Sequence, residues 1–402
     1  MEDFPQDLIL NILSRLPVKL LIQSRCVSKL WCNLVDSQCL ASMHLRQGSE
    51  EPSLLLVACP TGKASITSLY LLKEDRGTLR TSHNATMQIL NSRKYGPWCS
   101  CNGLLCFARH GDGLLSSRHD GRELVFICNP LRGDVLTLPP ITTISPVPVG
   151  QKYGLGYYPS TKEYKVVRIF YHAFDGINDQ YSFGAEIYTL RSKSWRDVRS
   201  TPPYAVTGKP VFAEGSLHWM INSELHPNKT EHVILSFNIA REEFSVMPHP
   251  DIGLKNHDML ALVDLGGSLS LVDSSSDKHI LIWVLKDYNK RCWLREYCIS
   301  IKAPEGWSGR SNNGHIRVIG FWEHGEILLT SSEDSFFSFN PRTDALRYVH
   351  VSVLPHDIAR SEVYGHTGSL VSLKAYDLTA KIDVNAVQDS CNLEATAQKL
   401  EQ

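Results

Sequence analysis

The sequence predicts an α+β protein in which a few short helices precede a long, mainly-β region. In residues 4–45 the apolar side chains recur at the three-to-four-residue spacing of helices. From Gly48 onward they form short runs broken by Gly, Pro, Asn and Asp, which is typical of strands and turns. The 402 residues contain 43% hydrophobic and 21% charged side chains, as in ordinary globular proteins. Disorder throughout the chain is therefore excluded.

Three helices are predicted at the start of the chain. Pro5 suits a first helical turn, Asp7 complements the helix dipole, and an apolar face continues until Pro17. A second short helix follows at Val18–Ile22. The third has an amphipathic stripe formed by Val27, Leu30, Trp31, Leu34 and Val35.

These helices carry more large apolar side chains than so short a segment can bury within itself. If roughly six of them were buried against another protein at about 1.5–3 kcal/mol each, the gain would be about 9–18 kcal/mol. Association costs of about 4–15 kcal/mol would offset much of it. Packing of the helices onto the rest of the same chain explains the spacing as well, so both interpretations stay open.

The order of the residues is more specific than their spacing. Three runs follow one another, namely Phe4-Pro5-x-Asp7-Leu8-Ile9, Ile12-Leu13-x-Arg15-Leu16-Pro17-Val18-Lys19 and Arg25-Cys26-Val27-Ser28-Lys29-x-Trp31. Together they resemble an F-box, in the form common in plant F-box proteins. Phe4 and Leu20 depart from the usual Leu and Ser of that pattern, and both keep its apolar character.

The resemblance implies that the helices dock on a Skp-family adaptor and, through it, on a cullin scaffold. Carried over by position, the residues that would contact the adaptor are Pro5, Leu8, Ile12, Leu13, Leu16, Pro17, Leu21, Cys26, Val27 and Trp31. Four basic residues, Arg15, Lys19, Arg25 and Lys29, flank this stripe without an acidic residue between Ser14 and Trp31. Such a flank would steer an acidic partner, although charges on a helix are ordinarily a solvated face.

Charge and cysteine content bound the function and the compartment. Because 41 Lys and Arg balance 42 Asp and Glu, a general nucleic-acid ligand is not expected. A secretory signal and an apolar run long enough for a membrane span are both missing, so a cytoplasmic or nuclear location is expected. The eleven cysteines are scattered and favour free, mostly buried thiols, as at Cys128 and Cys298. Cys99, Cys101 and Cys106 lack zinc-site spacing, so no metal site is predicted.

The β-region repeats a unit of strand, loop, strand and turn. Successive units are marked by Gly103, Gly154, Gly215, Gly267 and Gly325, at steps of 51, 61, 52 and 58 residues. A period near 50 residues with several strands per unit is typical of a kelch-like propeller blade. The runs at Ser53–Leu72 and Glu362–Asp377 are each half a unit and would join to close a ring of about six blades. A less regular circular β-domain fits almost as well.

Four segments of this region stand out: Tyr153-Gly154-Leu155-Gly156-Tyr157, Tyr164-Lys165-Val166-Val167, Glu186-Ile187-Tyr188 with Ser194-Trp195, and Gly215-Ser216-Leu217-His218-Trp219. They resemble the plant F-box-associated interaction domain, which is often described as kelch-like. The resemblance implies a domain that presents a target protein for ubiquitination. It divides the chain into an F-box at 1–46, a kelch-like propeller domain at 47–380 and a frayed tail at 381–402.

Catalytic motifs are not found in the β-region. Gly306-Trp307-Ser308-Gly309 misses the spacing of a serine nucleophile elbow, and no dinucleotide-binding or Walker-type glycine run occurs. We therefore predict no catalytic, cofactor-binding or metal-binding residue. His218, between Leu217 and Trp219, is interpreted as a structural histidine.

The sequence as a whole favours a non-catalytic substrate-recognition subunit of an SCF-type E3 ubiquitin ligase with an unknown protein target. The candidate target-binding loops are Arg109–Glu123, His172–Ser182, Asn222–Glu231 and Lys302–His315, and Trp307 is the candidate anchor. Two alternatives stay open. One is a binding module without a role in degradation, and the other is a kelch-propeller enzyme with N-terminal helices.

Overall fold

The computed structural model describes residues 5–47, 53–60, 66–75, 78–81, 87–90, 95–109, 125–141, 151–175, 180–222, 233–250, 252, 259–276, 278–301, 316–331, 335–352 and 358–376. Two parts are distinguished below. The helical segment is residues 5–47, and the β-region is residues 53–376. The predicted order of helices followed by mainly-β structure is confirmed.

The helical segment contains four helices, α1 Gln6–Leu13, α2 Val18–Ser24, α3 Lys29–Val35 and α4 Gln38–Gln47. Pro5 and Pro17 lie immediately before α1 and α2, where the missing N–H of proline leaves no helical hydrogen bond unmade. The Ser28 hydroxyl caps α3 by accepting a hydrogen bond from the backbone N–H of Trp31 at 3.2 Å. The three helices predicted from the apolar spacing are therefore present.

The predicted total of three helices is wrong, because α4 is a fourth. The Ser37 hydroxyl caps it by accepting a hydrogen bond from the backbone N–H of Leu40 at 3.2 Å. Only Leu40 and His44 are buried in α4, one helical turn apart, so its apolar face is too narrow to give a clear periodic signal. The helix ends at Gln47, one residue beyond the predicted domain boundary.

The helices pack around a small core of their own. Its buried members are Leu10, Leu13, Val18, Leu21, Leu34, Val35 and Leu40, joined by Leu370 from the far end of the β-region. The His44 ring lies 2.9 Å from the carbonyl oxygen of Leu16 and so links α4 to the turn between α1 and α2. The bundle is thus closed on one side by the β-region.

The β-region begins with β1 Ser53–Pro60, β2 Ile66–Asp75, β3 Thr78–Thr81 and β4 Met87–Leu90. Four separate four-stranded antiparallel sheets follow. The first two are β5 Tyr95–Cys101, β6 Leu104–Arg109, β7 Val125–Asn129, β8 Asp134–Thr137 and β9 Lys152–Tyr158, β10 Glu163–Asp175, β11 Gln180–Thr189, β12 Ser194–Asp197. The next two are β13 Val206–Ala213, β14 Ser216–Ile221, β15 Val233–Asn238, β16 Glu243–Pro248 and β17 Leu260–Leu265, β18 Ser268–Asp273, β19 His279–Asp287, β20 Cys292–Ser300.

The last strands are β21 Arg317–Trp322, β22 Glu326–Thr330, β23 Phe336–Asn340, β24 Ala345–Ser352 and β25 Ile358–His366. They join the first ones in a nine-stranded sheet of order β21-β22-β23-β24-β3-β2-β1-β25, in which β4 pairs with β2. The predicted joining of the two half-units is confirmed, because Ser53 of β1 pairs with His366 of β25. Of the predicted half-unit Glu362–Asp377, only Glu362–His366 lies in a strand, as the end of β25. The described sheets number five, so the predicted six blades are not seen as six separate sheets.

An apolar core lies between successive sheets around the region. Strand β1 packs on both the first and the last sheets of the β-region, so that the sheets form a closed circle. It can do so because successive side chains of a strand point to opposite sides. Leu54 and Leu56 pack with strands β22–β24, whereas Leu55 and Val57 pack with β6 and β7. The first strands of successive sheets, β5, β9, β13, β17 and β21, contact one another in turn, and β25 contacts β21. These strands therefore line the middle of this circle.

In the four four-stranded sheets and in β21–β24, tight turns join the first strand to the second and the third to the fourth. Both turns lie at the same ends of the strands because the strands alternate in direction. The first turns hold a residue with positive φ at Gly103, Lys162, Gly215, Gly267 and Gly325. In the second unit the turn residue is Lys162. Gly154, which the sequence analysis took as the marker of that unit, lies inside β9. One face of the region therefore carries the tight turns, and the opposite face carries the other connections.

His218 is buried between two sheets, as its interpretation as a structural histidine requires. Its Nδ1 lies 3.3 Å from the Val211 carbonyl oxygen, and its Nε2 lies 3.3 Å from the Tyr288 hydroxyl. Ser236 is 3.2 Å from the same hydroxyl. Because a carbonyl only accepts, Nδ1 carries the proton and Nε2 accepts from Tyr288. The neutral imidazole is thus fully bonded without solvent.

Lowering the pH is expected to destabilise the folded chain through His218. Burial lowers the pKa of His218 from 6.5 to about 4. The unfolded chain takes up a proton at this residue below about pH 6.5, whereas the folded chain does so only near pH 4. The free energy of unfolding therefore falls by roughly 3 kcal/mol as the pH is lowered through this window. Denaturant unfolding of the wild type and His218→Gln at about pH 7 and pH 4.5 checks this. An unchanged pH dependence in the variant would contradict it.

Candidate functional site

The helical segment presents large apolar side chains to solvent. Eight such side chains are exposed among the described residues, and five of them lie here: Leu8 (53%), Ile12 (61%), Leu20 (53%), Val27 (68%) and Leu30 (52%). The helix α1 is therefore apolar on two sides, one facing the segment's own core and one facing water. A concentration of exposed apolar side chains in one short segment is typical of an interaction site in soluble proteins.

The structure divides the ten residues predicted to contact an adaptor into three groups. The exposed ones are Pro5, Leu8, Ile12, Pro17, Cys26 and Val27. Leu16 and Trp31 are half-buried against the core of the segment. Leu13 and Leu21 are only 2% and 0% exposed, because they lie on the inner sides of α1 and α2. These two side chains support the helices from within and offer no contact surface, which corrects their assignment.

The basic flank is smaller than the sequence predicts. Arg25 is neutralised by Asp36, whose carboxylate oxygen lies 2.9 Å from its Nε atom. Arg15, Lys19 and Lys29 are exposed. Lys19 lies beside Lys73 of β2, and a hydrogen bond to this neighbour together with its like charge lowers the pKa of Lys19. Three of the four cations in the predicted flank are thus exposed without an acidic partner in the part of the chain that the structure describes.

Asp36, at the end of α3, fastens the helical segment to the β-region. Its Oδ1 atom accepts a hydrogen bond from Arg132 at 2.7 Å, and its Oδ2 atom accepts one from the Arg25 Nη2 atom at 3.0 Å. Arg132 lies in the turn between β7 and β8, its side chain is 1% exposed, and it also donates to the Leu370 carbonyl and to Asp134, both at 3.3 Å. Burial raises the pKa of Asp36, but the hydrogen bonds from Arg132 and Arg25 lower it overall.

Residues 367–376, which follow β25, lie between the two parts and are held from the same turn. The Asn129 side chain donates to the carbonyls of Ser369 and Val371, each at 2.9 Å. The Asp134 carboxylate accepts a hydrogen bond from the Ser372 hydroxyl at 3.2 Å. The end of the described chain therefore fills the junction between helices and sheets.

Sequence reasoning missed the Asp36–Arg132 contact. The two residues are 96 positions apart, so no local spacing connects them. One signal was present, because Asp36 is the first acidic residue after a stretch whose charged side chains are all basic. The identity of its partner depends on the closure of the β-region.

The candidate target-binding loops start from the face opposite the helical segment. Most of their residues, including Trp307, lie outside the described residues. The strands that they connect are described: β6 to β7, β10 to β11, β14 to β15 and β20 to β21. These ends lie on the face away from the tight turns, whereas Arg132, Lys162 and Lys193 of the tight turns lie on the side of the helices. Two different faces are thus available for two partners.

The described residues contain no group of three or more His, Cys, Asp or Glu that could hold a metal ion. Cys99, Cys101, Cys106 and Cys128 are buried free thiols, and burial raises the pKa of Cys128 far above its usual range. Cys298, predicted to be buried, is exposed, because the outer strand β20 has only one fully covered side chain. Among the helices that the structure describes, none has the length and apolarity to cross a membrane.

Comparison with known families accounts for both parts of the chain. Residues 1–42 match the F-box domain, and residues 54–373 match the F-box associated beta propeller domain. An F-box protein of Arabidopsis thaliana is 26% identical over 395 residues, with 89% of each chain covered. An F-box/kelch-repeat protein of the same plant is 25% identical over 306 residues, which cover 72% of this chain and 77% of the relative.

Among solved structures, the similar folds are distant. A lectin of Aleuria aurantia is 9% identical, covers 76% of this chain and 97% of its own, and has a TM-score of 0.36. The periplasmic gluconolactonase of Pseudomonas aeruginosa is 10% identical, covers 78% and 99%, and has a TM-score of 0.38. Likeness at this level says nothing about ligand or activity.

The two family matches fall on the two parts that the structure separates, and the second alone covers more than half of the chain. The four-helix segment with its exposed apolar side chains coincides with the first match, and the circle of sheets coincides with the second. The chain belongs to the family of F-box proteins that carry an F-box associated β-propeller domain.

Proposed function

We propose that this chain is the substrate-recognition subunit of an SCF-type E3 ubiquitin ligase. In this proposal the helical segment docks on a Skp-family adaptor, which joins it to a cullin, and the β-region presents a target protein. The subunit performs no chemistry itself. It raises the effective concentration of a target lysine near a ubiquitin thioester carried by another protein.

The observation that carries the proposal is the apolar surface of α1 to α3. Leu8, Ile12 and Val27 are more than half exposed although the rest of the segment has a closed core. A second protein that covered them would remove large apolar side chains from water, worth about 1.5–3 kcal/mol each. Pro5, Leu16, Pro17, Cys26 and Trp31 complete the proposed contact, and the exposed Arg15, Lys19 and Lys29 would steer an acidic adaptor to it.

The placement of the two faces supports a bridging role. The adaptor would bind the helices on the side of the tight turns, and the target would bind the loops on the opposite face, with Trp307 as the proposed anchor. Because Asp36 and Arg132 fix the helices to the sheets, the distance between the two partners is set by the fold. A fixed distance is what a proximity catalyst needs.

We further propose that the β-region counts as six blades. The nine-stranded sheet divides at the parallel pair between β24 and β3, which leaves β21–β24 on one side and β3, β2, β1 and β25 on the other. The two faces of β1 pack against different neighbours, as a blade between two others would. The domain limits 1–46, 47–380 and 381–402 and a cytoplasmic or nuclear location belong to the same proposal.

Mixing the purified chain with a Skp-type adaptor and then with a cullin is expected to give one stable complex on size-exclusion chromatography. Each addition should shift the elution volume, with one adaptor per chain. A chain that elutes unchanged beside the adaptor would contradict the proposal.

Affinity purification of the assembled complex with degradation blocked is then expected to yield the target, and a reconstituted ubiquitination assay should modify it. If the β-region captures a protein that is never modified, the chain is a binding module without a role in degradation. Activity on a small molecule in the absence of all partners would instead support the enzyme alternative.

A further inference from the structure

A cavity of about 270 Å³ lies where the helical segment meets the β-region. One wall is α4, with Ala41, Ser42 and Leu45. The second wall consists of the two tight turns of the sheet β9–β12, and the third is the segment at residues 370–376. The cavity is therefore separate from the apolar surface of α1 to α3 and from the loops on the opposite face.

The charge on the walls is positive. Asp36 is already neutralised by Arg25 and Arg132, and Glu163 faces Arg191 at 3.9 Å. Lys162 and Lys193 also line the cavity, and neither has an ion pair with any described residue. Both lysines have φ values near the left-handed region, 55° and 56°, inside tight turns that fix their backbone. Two lysines thus line the cavity without a counter-ion among the described residues.

The interior is aromatic and apolar. The Tyr157 and Tyr164 rings lie 4.7 Å apart, and Tyr376 and Leu370 face them across the cavity. Tyr164 is only 2% exposed, and its hydroxyl has no partner at hydrogen-bonding geometry among the described residues. The Asn102 side chain is near enough to oppose, in part, the rise that burial causes in the pKa of Tyr164. A buried hydroxyl without a hydrogen-bond partner destabilises the folded state unless a ligand or a water molecule supplies that partner.

We propose that this cavity binds a small organic carboxylate with an aromatic body. The carboxylate would pair with Lys162 and Lys193. The aromatic body would fill the space between the tyrosine rings and the side chains of Leu45 and Leu370, where offset or edge-to-face ring contacts are favourable. The volume lies just below the ~300 Å³ at which ordinary ligand pockets begin, so nucleotides and peptides are too large. This binding site does not depend on the proposed ligase function.

A bound carboxylate would touch α4 and two elements of the β-region at once. It would stabilise the folded chain by mass action and tighten the junction that Asp36 and Arg132 hold. Occupancy would thereby stiffen the link between the adaptor-binding helices and the target-binding face without touching either surface.

Titration of the full chain with 3-phenylpropionate, followed by calorimetry and by protein NMR, tests the proposal. The expected dissociation constant is about 1 mM or tighter, as befits a ligand of this size. The neutral amide, 3-phenylpropionamide, and the ringless anion, propionate, are each expected to bind at least about tenfold more weakly. Equal binding of the amide, or no binding of 3-phenylpropionate at about 10 mM, would overturn the proposal.

The double variant Lys162→Met/Lys193→Met locates the site. It is expected to weaken 3-phenylpropionate binding by about tenfold or more. The matched control is Lys278→Met/Lys290→Met, which removes two exposed lysines near the sheet β17–β20 and should keep the wild-type affinity. If both double variants bind alike, the ligand is not in this cavity. The comparison of acid and amide uses the wild-type chain and so decides the charge requirement even if a variant fails to fold.

Discussion

The double variant Ile12→Asp/Val27→Asp is expected to lose adaptor capture while the chain keeps its melting temperature. The two side chains are 61% and 68% exposed, so their replacement leaves the helical core intact. Exposed substitutions of this kind usually change stability by less than about 0.5 kcal/mol. In a complex the same two side chains would be worth about 3–6 kcal/mol together, a factor of about 10² to 10⁴ in the dissociation constant.

A pulldown with the Skp-type adaptor and a thermal unfolding scan of each variant measure the two effects. Leu294→Asp/Tyr348→Asp is the matched control, because it places the same charges at apolar side chains that are 54% and 47% exposed in the β-region. It should bind the adaptor normally. Leu13→Asp is not a clean test, since Leu13 is 2% exposed and the variant is expected to unfold the bundle. Unaltered adaptor capture by the Ile12 and Val27 variant would refute the assignment of this surface.

The variant Arg132→Met is expected to loosen the helical segment from the β-region. Its side chain is 1% exposed, and its removal takes the nearest cation from the Asp134 carboxylate, which is 3% exposed, and leaves Asp36 with Arg25 as its cationic partner. Breaking a buried ion pair in this way costs about 3–5 kcal/mol. We expect a lower unfolding free energy and, because the partners are no longer held at a fixed distance, a lower ubiquitination rate at saturating adaptor and target.

Arg196→Met provides the comparison. Arg196 pairs with Glu242 at 2.6 Å, but its side chain is 51% exposed, and surface pairs are worth about 0–1 kcal/mol. This variant should keep both its stability and its ubiquitination rate. Under conditions where Arg132→Met is still folded, a rate equal to that of the wild type would show that a rigid junction is not required.

The local structure of the helices follows closely from the residue pattern. Pro5 and Pro17 set where α1 and α2 begin, and Ser28 caps α3. These features depend on neighbours three or four positions away, so they can be predicted from the chain alone. The fourth helix was missed because only Leu40 and His44 of α4 are buried, which is too few to define a period.

The candidate site shows the limit of such reasoning. Ile12 and Leu13 are adjacent and both apolar, yet one is 61% exposed and the other 2%. Helical spacing places them on different sides of α1, but it does not say which side the rest of the chain covers. Leu21, which the family resemblance places at the adaptor, likewise lies in the core.

The sequence by itself determined the division into helices and sheets, the short turns and the apolar positions, because each depends on residues close together along the chain. The tertiary structure alone decided that Asp36 meets Arg132, that the cavity forms beside α4, and that the helices and the strand ends from which the long loops start lie on opposite faces. These outcomes depend on how strands far apart in sequence close into one circle. That closure is set by the sum of many weak packing contacts, which no single stretch of residues contains.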